Sequence, residues 1–208
     1  VSERTAYIIG SGGHAHVIRS LIPHSRVRFL VDRDPAPDDI LQEDFFAATP
    51  PEDGDYFIGI GDNAARRRYF DRLKRAGLRI SSCIAPNAWI AEDAAIGEGV
   101  FLGAGAMICS RSRLADNIIV NTLASVDHDC TIGADTQLAP GVILGGRIHI
   151  GRSAFLGLRC SVLPGLEIGD GAIVMAGALV TRNVAGGKRV GGLPARVVNE
   201  AGPIPTSH

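Results

Sequence analysis

From residue 84 onward an aliphatic residue recurs at every sixth position without a slip. The series runs Ile84, Ile90, Ile96, Leu102, Ile108, Leu114 and so on through Val174 and Val180, seventeen in register. Ile, Leu and Val make up only 52 of the 208 residues, so seventeen consecutive matches are not coincidence. Four residues after each comes a small or aliphatic residue, such as Ala88, Val100, Cys130, Thr136 or Ala178. Glycine follows the aliphatic residue directly in seven of the hexads. The helical period of 3.6 cannot hold this register, and simple alternation does not explain it. A six-residue repeat is the mark of a parallel β-helix. Each hexad is a short strand plus a turn, and three hexads make one triangular coil. The aliphatic side chains then stack inward, coil upon coil, about 4.8 Å apart.

Ahead of this array the chain reads as alternating strands and helices. Strands are expected at Ala6–Gly10, Val27–Val31, Tyr56–Ile60 and Leu78–Ser82. A helix is expected over His14–Ile22, with Val17, Ile18 and Leu21 as its apolar stripe. Another is expected over Asn63–Ala76, with Arg66, Arg67, Arg68, Arg72, Lys74 and Arg75 on its polar side. Residues 34–55 are rich in Pro, Asp and Glu and suit a loop with one short helix. Such alternation implies a small parallel sheet covered on both faces. The expected organisation is therefore an α/β Rossmann-like half domain (1–82), a β-helix (83–198) and a tail (199–208).

The remaining composition mostly excludes. A net charge of −1 argues against binding a polyanion by charge, so no nucleic-acid partner is expected. No run of 18 apolar residues could span a membrane, and the first residues, VSERTAYIIGSGGH, do not look like a secretory signal. Cys83, Cys109, Cys130 and Cys160 show no CxxC spacing, which suits reduced thiols in a cytoplasmic protein.

The hexads resemble those of the hexapeptide-repeat acyltransferases, whose fold is a left-handed β-helix. With the N-terminal unit, the chain more specifically resembles sugar acetyltransferases of the sialic-acid O-acetyltransferase and bacillosamine-pathway N-acetyltransferase type. The segments that carry the resemblance are IIGSGGHAHVI (8–18), VD (31–32), FIGIGDNAARRR (57–68), NTLASVDHDCTIG (121–133) and GGLPARVV (191–198). The resemblance implies acetyl-CoA as co-substrate and a nucleotide-linked amino sugar as acceptor. It also implies a homotrimer with active sites between subunits.

Acetyl transfer from a thioester needs a nucleophile near the carbonyl, a base for its proton and donors for the oxyanion. By resemblance His128 is the base and Asp129 its acidic partner. Residues eighteen apart stack on adjacent coils, so Asp129 also stands in one column with Arg111 and Arg147. It could orient His128 or be a rung in a charge ladder, and the two roles are compatible. Related sequences often carry a second histidine where this chain has Gln137, which can donate a hydrogen bond to a carbonyl but cannot carry charge. The resemblance also places Gly146, Gly157, Leu158, Ala176, Gly177, Pro194 and Arg196 along the CoA groove. For each glycine, turn geometry with positive φ is the competing reading. Cys130 and Cys160 occupy small inward positions and are poor acyl-enzyme candidates, which leaves direct transfer.

In the N-terminal unit Gly10, Ser11, Gly12, Gly13 and His14 follow the first strand, and Asp32 ends the second. That fits a dinucleotide fingerprint, G-x-G-x-x-A with an acid about twenty residues on. One mononucleotide-binding half is present, so a sugar nucleotide fits better than NAD. Gly61, Asp62 and Asn63 end the third strand on the same sheet edge, and His14 and Arg66 are candidate phosphate contacts. Three rival readings are an O-acetyltransferase of a sialic-acid-like sugar, a non-catalytic sugar-nucleotide-binding scaffold and a γ-class carbonic anhydrase. The last shares the β-helix, but its zinc site needs an H-x4-H spacing that this chain lacks, so no metal is expected.

Overall fold

The computed structural model describes residues 4–23, 25–48 and 50–198, so the expected tail at 199–208 lies outside the described residues. The chain forms two compact units that divide between Cys83 and Ile84. The first contains β1 (Ala6–Ile9), α1 (Gly13–Leu21), β2 (Val27–Val31), β3 (Ile40–Leu41), α2 (Gln42–Ala47), β4 (Asp55–Ile58) and α3 (Asn63–Arg75). All four strands are parallel, in the order β3-β2-β1-β4. The chain steps outward from β1 through β2 to β3, then returns to the far side of β1. That order is one Rossmann half, with its topological switch between β1 and β4. Ile9, Leu30, Tyr56, Phe70 and Leu73 lie in its core.

Three expectations fail in detail. Val17 is 44% exposed, and Ala15, Ile18 and Ile22 form the buried side of α1 instead. Their spacing of three and four residues fits a helix that begins on Gly13. Leu78–Ser82 makes only an isolated bridge, Tyr56 to Ile80, although Leu78 and Ile80 are both buried. Arg66 is not on a polar face at all: it is only 1% exposed.

The second unit is a left-handed parallel β-helix of two-residue strands. Strands eighteen residues apart pair in register, for example Ser125 with Ile143 and Val126 with Leu144. Three sheets result. The first face runs from Cys83–Ile84 through Ile119–Val120 and Gln137–Leu138 to Arg189–Gly191, where Arg196–Val197 adds an antiparallel strand. The second runs from Trp89–Ile90 to Leu179–Val180, and the third from Ala95–Ile96 to Glu167–Ile168. Every hexad aliphatic residue from Leu102 to Val180 is buried, as are the corner residues Ala106, Ile118, Ala124, Val142 and Ala172. Ile84, which begins the stack, is 43% exposed.

Corner geometry departs from the glycine expectation. Positive φ recurs every six residues, three positions after the inward aliphatic residue, from Gly99 through Gly177. Eight of those positions are not glycine, Arg111, Asp129 and Arg147 among them, each with φ 59°. The glycines that directly follow the aliphatic residue answer to a different constraint. A Cβ at Gly157 would lie 2.6 Å from the backbone nitrogen of Ala176 on the next coil. The coils approach too closely there for any side chain.

Candidate active site

His128 sits at the corner where the second face turns into the third, between strands Ser125–Val126 and Thr131–Ile132. Its backbone is fastened on every side. His128 N donates to Asp127 Oδ1 at 2.7 Å, and Arg147 N donates to His128 O at 2.8 Å. Asp129 N donates to Ser110 O at 3.0 Å. The buried Ser112 hydroxyl donates to Asp127 O at 2.7 Å and accepts from Cys130 N at 3.1 Å. A turn with its polar groups this fully committed holds its side chains in a preset geometry.

His128 Nδ1 lies 2.7 Å from Asp129 Oδ2. A carboxylate can only accept, so Nδ1 carries the proton and the Nε2 lone pair is free to act as a base. The side chain is 41% exposed, so that lone pair is reachable. Asp129 also accepts from Arg111, Nε to Oδ1 at 2.6 Å and Nη2 to Oδ2 at 2.9 Å. These two partners, Arg111 first and His128 second, hold the Asp129 carboxyl far below the usual carboxylate range. Asp129 thus fills both roles that its column suggested. The ladder is shorter than expected above it, because Arg147 makes no side-chain bond to Asp129, and longer below it. Asp93, one coil before Arg111, accepts from Ser110 Oγ at 2.7 Å and from Arg111 N at 3.3 Å. Asp93 was missed in the sequence, although the eighteen-residue column leads straight to it.

Gly146 stacks on His128 from the following coil. A Cβ there would lie 2.6 Å from both Cε1 and Nε2 of the imidazole. Gly146 is not in the left-handed region, so turn strain does not explain the residue. Its bare Cα keeps open the space next to the basic nitrogen. Gly157, Leu158, Ala176 and Gly177 gather at another corner, where the first face turns into the second. Gly177 N donates to Leu158 O at 2.8 Å, and Leu158 is 53% exposed. Gly177 has φ 68° and open space around it, so turn geometry accounts for it. Gln137 opens a strand of the first face, and its side chain makes no hydrogen bond among the described residues. Pro194 and Arg196 lie exposed in the closing hairpin. Within one chain, the expected CoA residues therefore fall on separate corners of the prism. Cys130 and Cys160 are fully buried; burial pushes the Cys130 thiol up and the Cys160 thiol up to about 12, which leaves both inert.

In the first unit, the fingerprint segments flank the switch point. Gly10, with φ 95°, ends β1, and a Cβ there would press on Gly59 O and Ile60 at 3.2 Å. Gly12 is the N-cap of α1 and Gly13 its first residue, with Ser11 exposed beside them. This helix N-terminus lies at the carboxyl edge of the sheet, where backbone N–H groups and the helix dipole favour an anion. Across the switch, Asp62 caps α3 by accepting from Ala65 N at 2.8 Å. The buried Arg66 guanidinium donates to Gly61 O at 3.1 Å and to Asn63 Oδ1 at 2.9 Å. Arg66 therefore builds the Gly61–Asn63 turn from beneath. Burial, with Arg66 nearby, lowers the His14 imidazole to about 4, so it is neutral at pH 7. Asp32 is exposed at the end of β2 and accepts from the Tyr69 hydroxyl at 3.0 Å, a partner not foreseen in the sequence. Arg66→Met is expected to lower Tm and weaken nucleotide-sugar binding while acetyl-CoA binding is retained. Paired melting curves and calorimetric titrations check this; unchanged nucleotide-sugar affinity would remove Arg66 from the site.

The geometry defines a hexapeptide-repeat fold with a histidine–carboxylate pair at one corner and a nucleotide-type sheet edge in a separate unit. Known proteins agree. Residues 5–73 match the PglD N-terminal domain family, and residues 147–182 match the hexapeptide repeat of succinyl-transferase. The acetyltransferase domain of PglB from Neisseria gonorrhoeae FA1090 superposes with a TM-score of 0.90 at 29% identity, covering 94% of this chain and 100% of that one. PerB from Caulobacter crescentus, solved in complex with CoA and GDP-perosamine, gives 0.88 at 30% identity, covering 95% and 99%. YvoF of Bacillus subtilis (strain 168) is 37% identical over 92 residues, 44% of this chain and about half, 53%, of its own length. The chain belongs to the hexapeptide-repeat sugar acetyltransferases that carry a PglD-type N-terminal domain.

Proposed function

We propose that the protein transfers the acetyl group of acetyl-CoA directly to the amino group of a nucleotide-linked amino-deoxy sugar, a 4-amino-4,6-dideoxy sugar. The observation that carries this reading is the His128 imidazole, held through Nδ1 by Asp129, with Nε2 open beside the bare Gly146. The uncharged amine attacks the thioester carbonyl carbon and the new C–N bond forms. His128 Nε2 takes the amine proton, the C–S bond breaks, and the imidazolium returns a proton to the departing CoA thiolate. No cysteine enters: burial raises all four thiols, Cys83 and Cys160 to about 12, away from the thiolate form. The N-terminal switch point holds the sugar nucleotide, with its phosphates by the N-terminus of α1 and Asp32 near the base or ribose. The solved relative with CoA and GDP-perosamine supports this class of acceptor.

The test is a screen of UDP-, GDP- and dTDP-linked 4-amino sugars with acetyl-CoA, read by mass spectrometry. One added acetyl group on the amino nitrogen is expected. An ester on a hydroxyl would instead make the enzyme an O-acetyltransferase, and no thiol release with any sugar would leave a binding protein.

The active form is proposed to be a homotrimer with active sites between subunits. The second face supports this: Trp89, Met107 and Ile143 project outward on it, 52%, 44% and 55% exposed. Ser125 and Ser161 are interspersed in the same column, and exposed apolar side chains of this size suit a covering partner, which a closed ring of identical contacts supplies. Light scattering is expected to give about three times the 21.8 kDa chain mass. A monomer at micromolar concentration would end this reading.

A further inference from the structure

We infer that Arg111 is a positioning residue for acetyl transfer, acting on His128 through Asp129. This inference rests on His128 being the base. The geometry forms one continuous chain across three coils. Asp93 holds the Arg111 turn through the Arg111 backbone N–H and the Ser110 hydroxyl. Arg111 then grips both oxygens of Asp129 with a planar fork, and Asp129 Oδ2 meets His128 Nδ1. Arg111 and Asp129 stand on corner residues with φ 59°, a backbone state that non-glycine residues adopt at a cost of roughly 1–2 kcal/mol. Glycine takes the equivalent hexad position at other corners, as at Gly99, Gly105 and Gly141. The charged pair is thus kept where glycine would relieve the backbone.

The fork does two things that a lone Asp129 could not. An isolated carboxylate on an exposed turn rotates about χ2, and its bond to His128 breaks and reforms. A bidentate guanidinium removes that freedom, so one oxygen always faces Nδ1. The guanidinium also places a positive charge one group away from the imidazole. The other charged or titratable groups around this corner are Asp93, Cys109, Asp127, Cys130 and Arg147. Asp127 is tied to the His128 backbone N–H, and burial raises both thiols, so they carry no charge near neutrality. Arg147, one coil on, adds a second positive charge but makes no bond to Asp129.

The test compares Arg111→Met and Arg111→Lys with the unaltered enzyme, measuring kcat and KM for acetyl-CoA across pH 5 to 9. Arg111→Met is expected to lower plateau kcat about ten-fold with little change in KM. KM for the sugar nucleotide should also stay near that of the unaltered enzyme, so the loss falls on kcat alone. Arg111→Lys retains the charge without the fork, so it should restore only part of kcat. A loss of Tm in Arg111→Met with kcat unchanged would show a purely structural ladder and overturn the inference. If Arg111→Met does not fold, Arg111→Lys decides alone: kcat equal to the unaltered enzyme overturns the inference, since the fork would then be dispensable. Failure of His128 as base has a separate sign, namely near-normal turnover in His128→Ala.

Discussion

His128→Ala is expected to lower kcat by about 10²–10⁴, the usual contribution of a positioned general base. KM for acetyl-CoA and for the sugar nucleotide should change little. The reason lies in how the corner is built. His128 contributes backbone bonds to Asp127 and Arg147 that alanine retains, and Ser112 anchors the turn from inside the coil. The side chain itself is 41% exposed and bonds only to Asp129, so its loss opens no cavity in the core. Tm is therefore expected to stay near that of the unaltered enzyme. Steady-state kinetics with a thiol-reactive readout, paired with melting curves, check both halves. Turnover within a few-fold of the unaltered enzyme would remove His128 from the mechanism.

The β-helix was legible because its register is set by one constraint repeated seventeen times. Each inward position must be aliphatic, since it is buried on all sides by the coils above and below. The corner columns followed from the same arithmetic, and that arithmetic put Arg111 beneath Asp129 and Gly146 above His128. Arithmetic on columns does not give side-chain reach, however. It assigned Arg147 to the ladder as readily as Arg111, and only the rotamers separate them. It also gave no reason for the glycines that follow the aliphatic residues, because close approach between coils leaves no mark within a single hexad. The N-terminal unit was legible in its fingerprint and less so in its helices. Arg66 lies within a run of three arginines, and nothing local distinguishes the one that turns inward. Its acceptors, Gly61 O and Asn63 Oδ1, lie only five and three residues upstream, but which arginine reaches them is set by the angle at which α3 leaves the turn after β4. Asp32 was placed correctly at a strand end, while its Tyr69 partner lies 37 residues away on a helix whose rotation the sequence did not fix.

Gly146→Ala carries the sharpest expected contrast between rate and stability. Gly146 is outside the left-handed region, so alanine suits its backbone. Such a change commonly stabilises by about 0.4–1 kcal/mol, because the unfolded chain loses freedom. Tm should therefore hold or rise slightly. The added methyl carbon, however, would stand 2.6 Å from Cε1 and Nε2 of His128, where ordinary contact is about 3.5–4.0 Å. The half-exposed ring is the part that can yield. It must swing aside by about an ångström, and in doing so it strains or breaks the 2.7 Å bond to Asp129. A misplacement of that size at a reacting centre costs about 10²-fold in rate. The methyl also fills the space that a thioester carbonyl needs beside Nε2, so affinity for acetyl-CoA should fall as well, by less than kcat. The expected signature is thus a kcat lowered about a hundred-fold in a protein that melts no earlier than the original. Kinetics, calorimetric titration with CoA and a melting curve on one preparation supply the three numbers. A variant that melts early but keeps its rate and its CoA affinity would show that Gly146 serves the packing of the coils, and that the open space beside His128 is not where the acetyl group is presented.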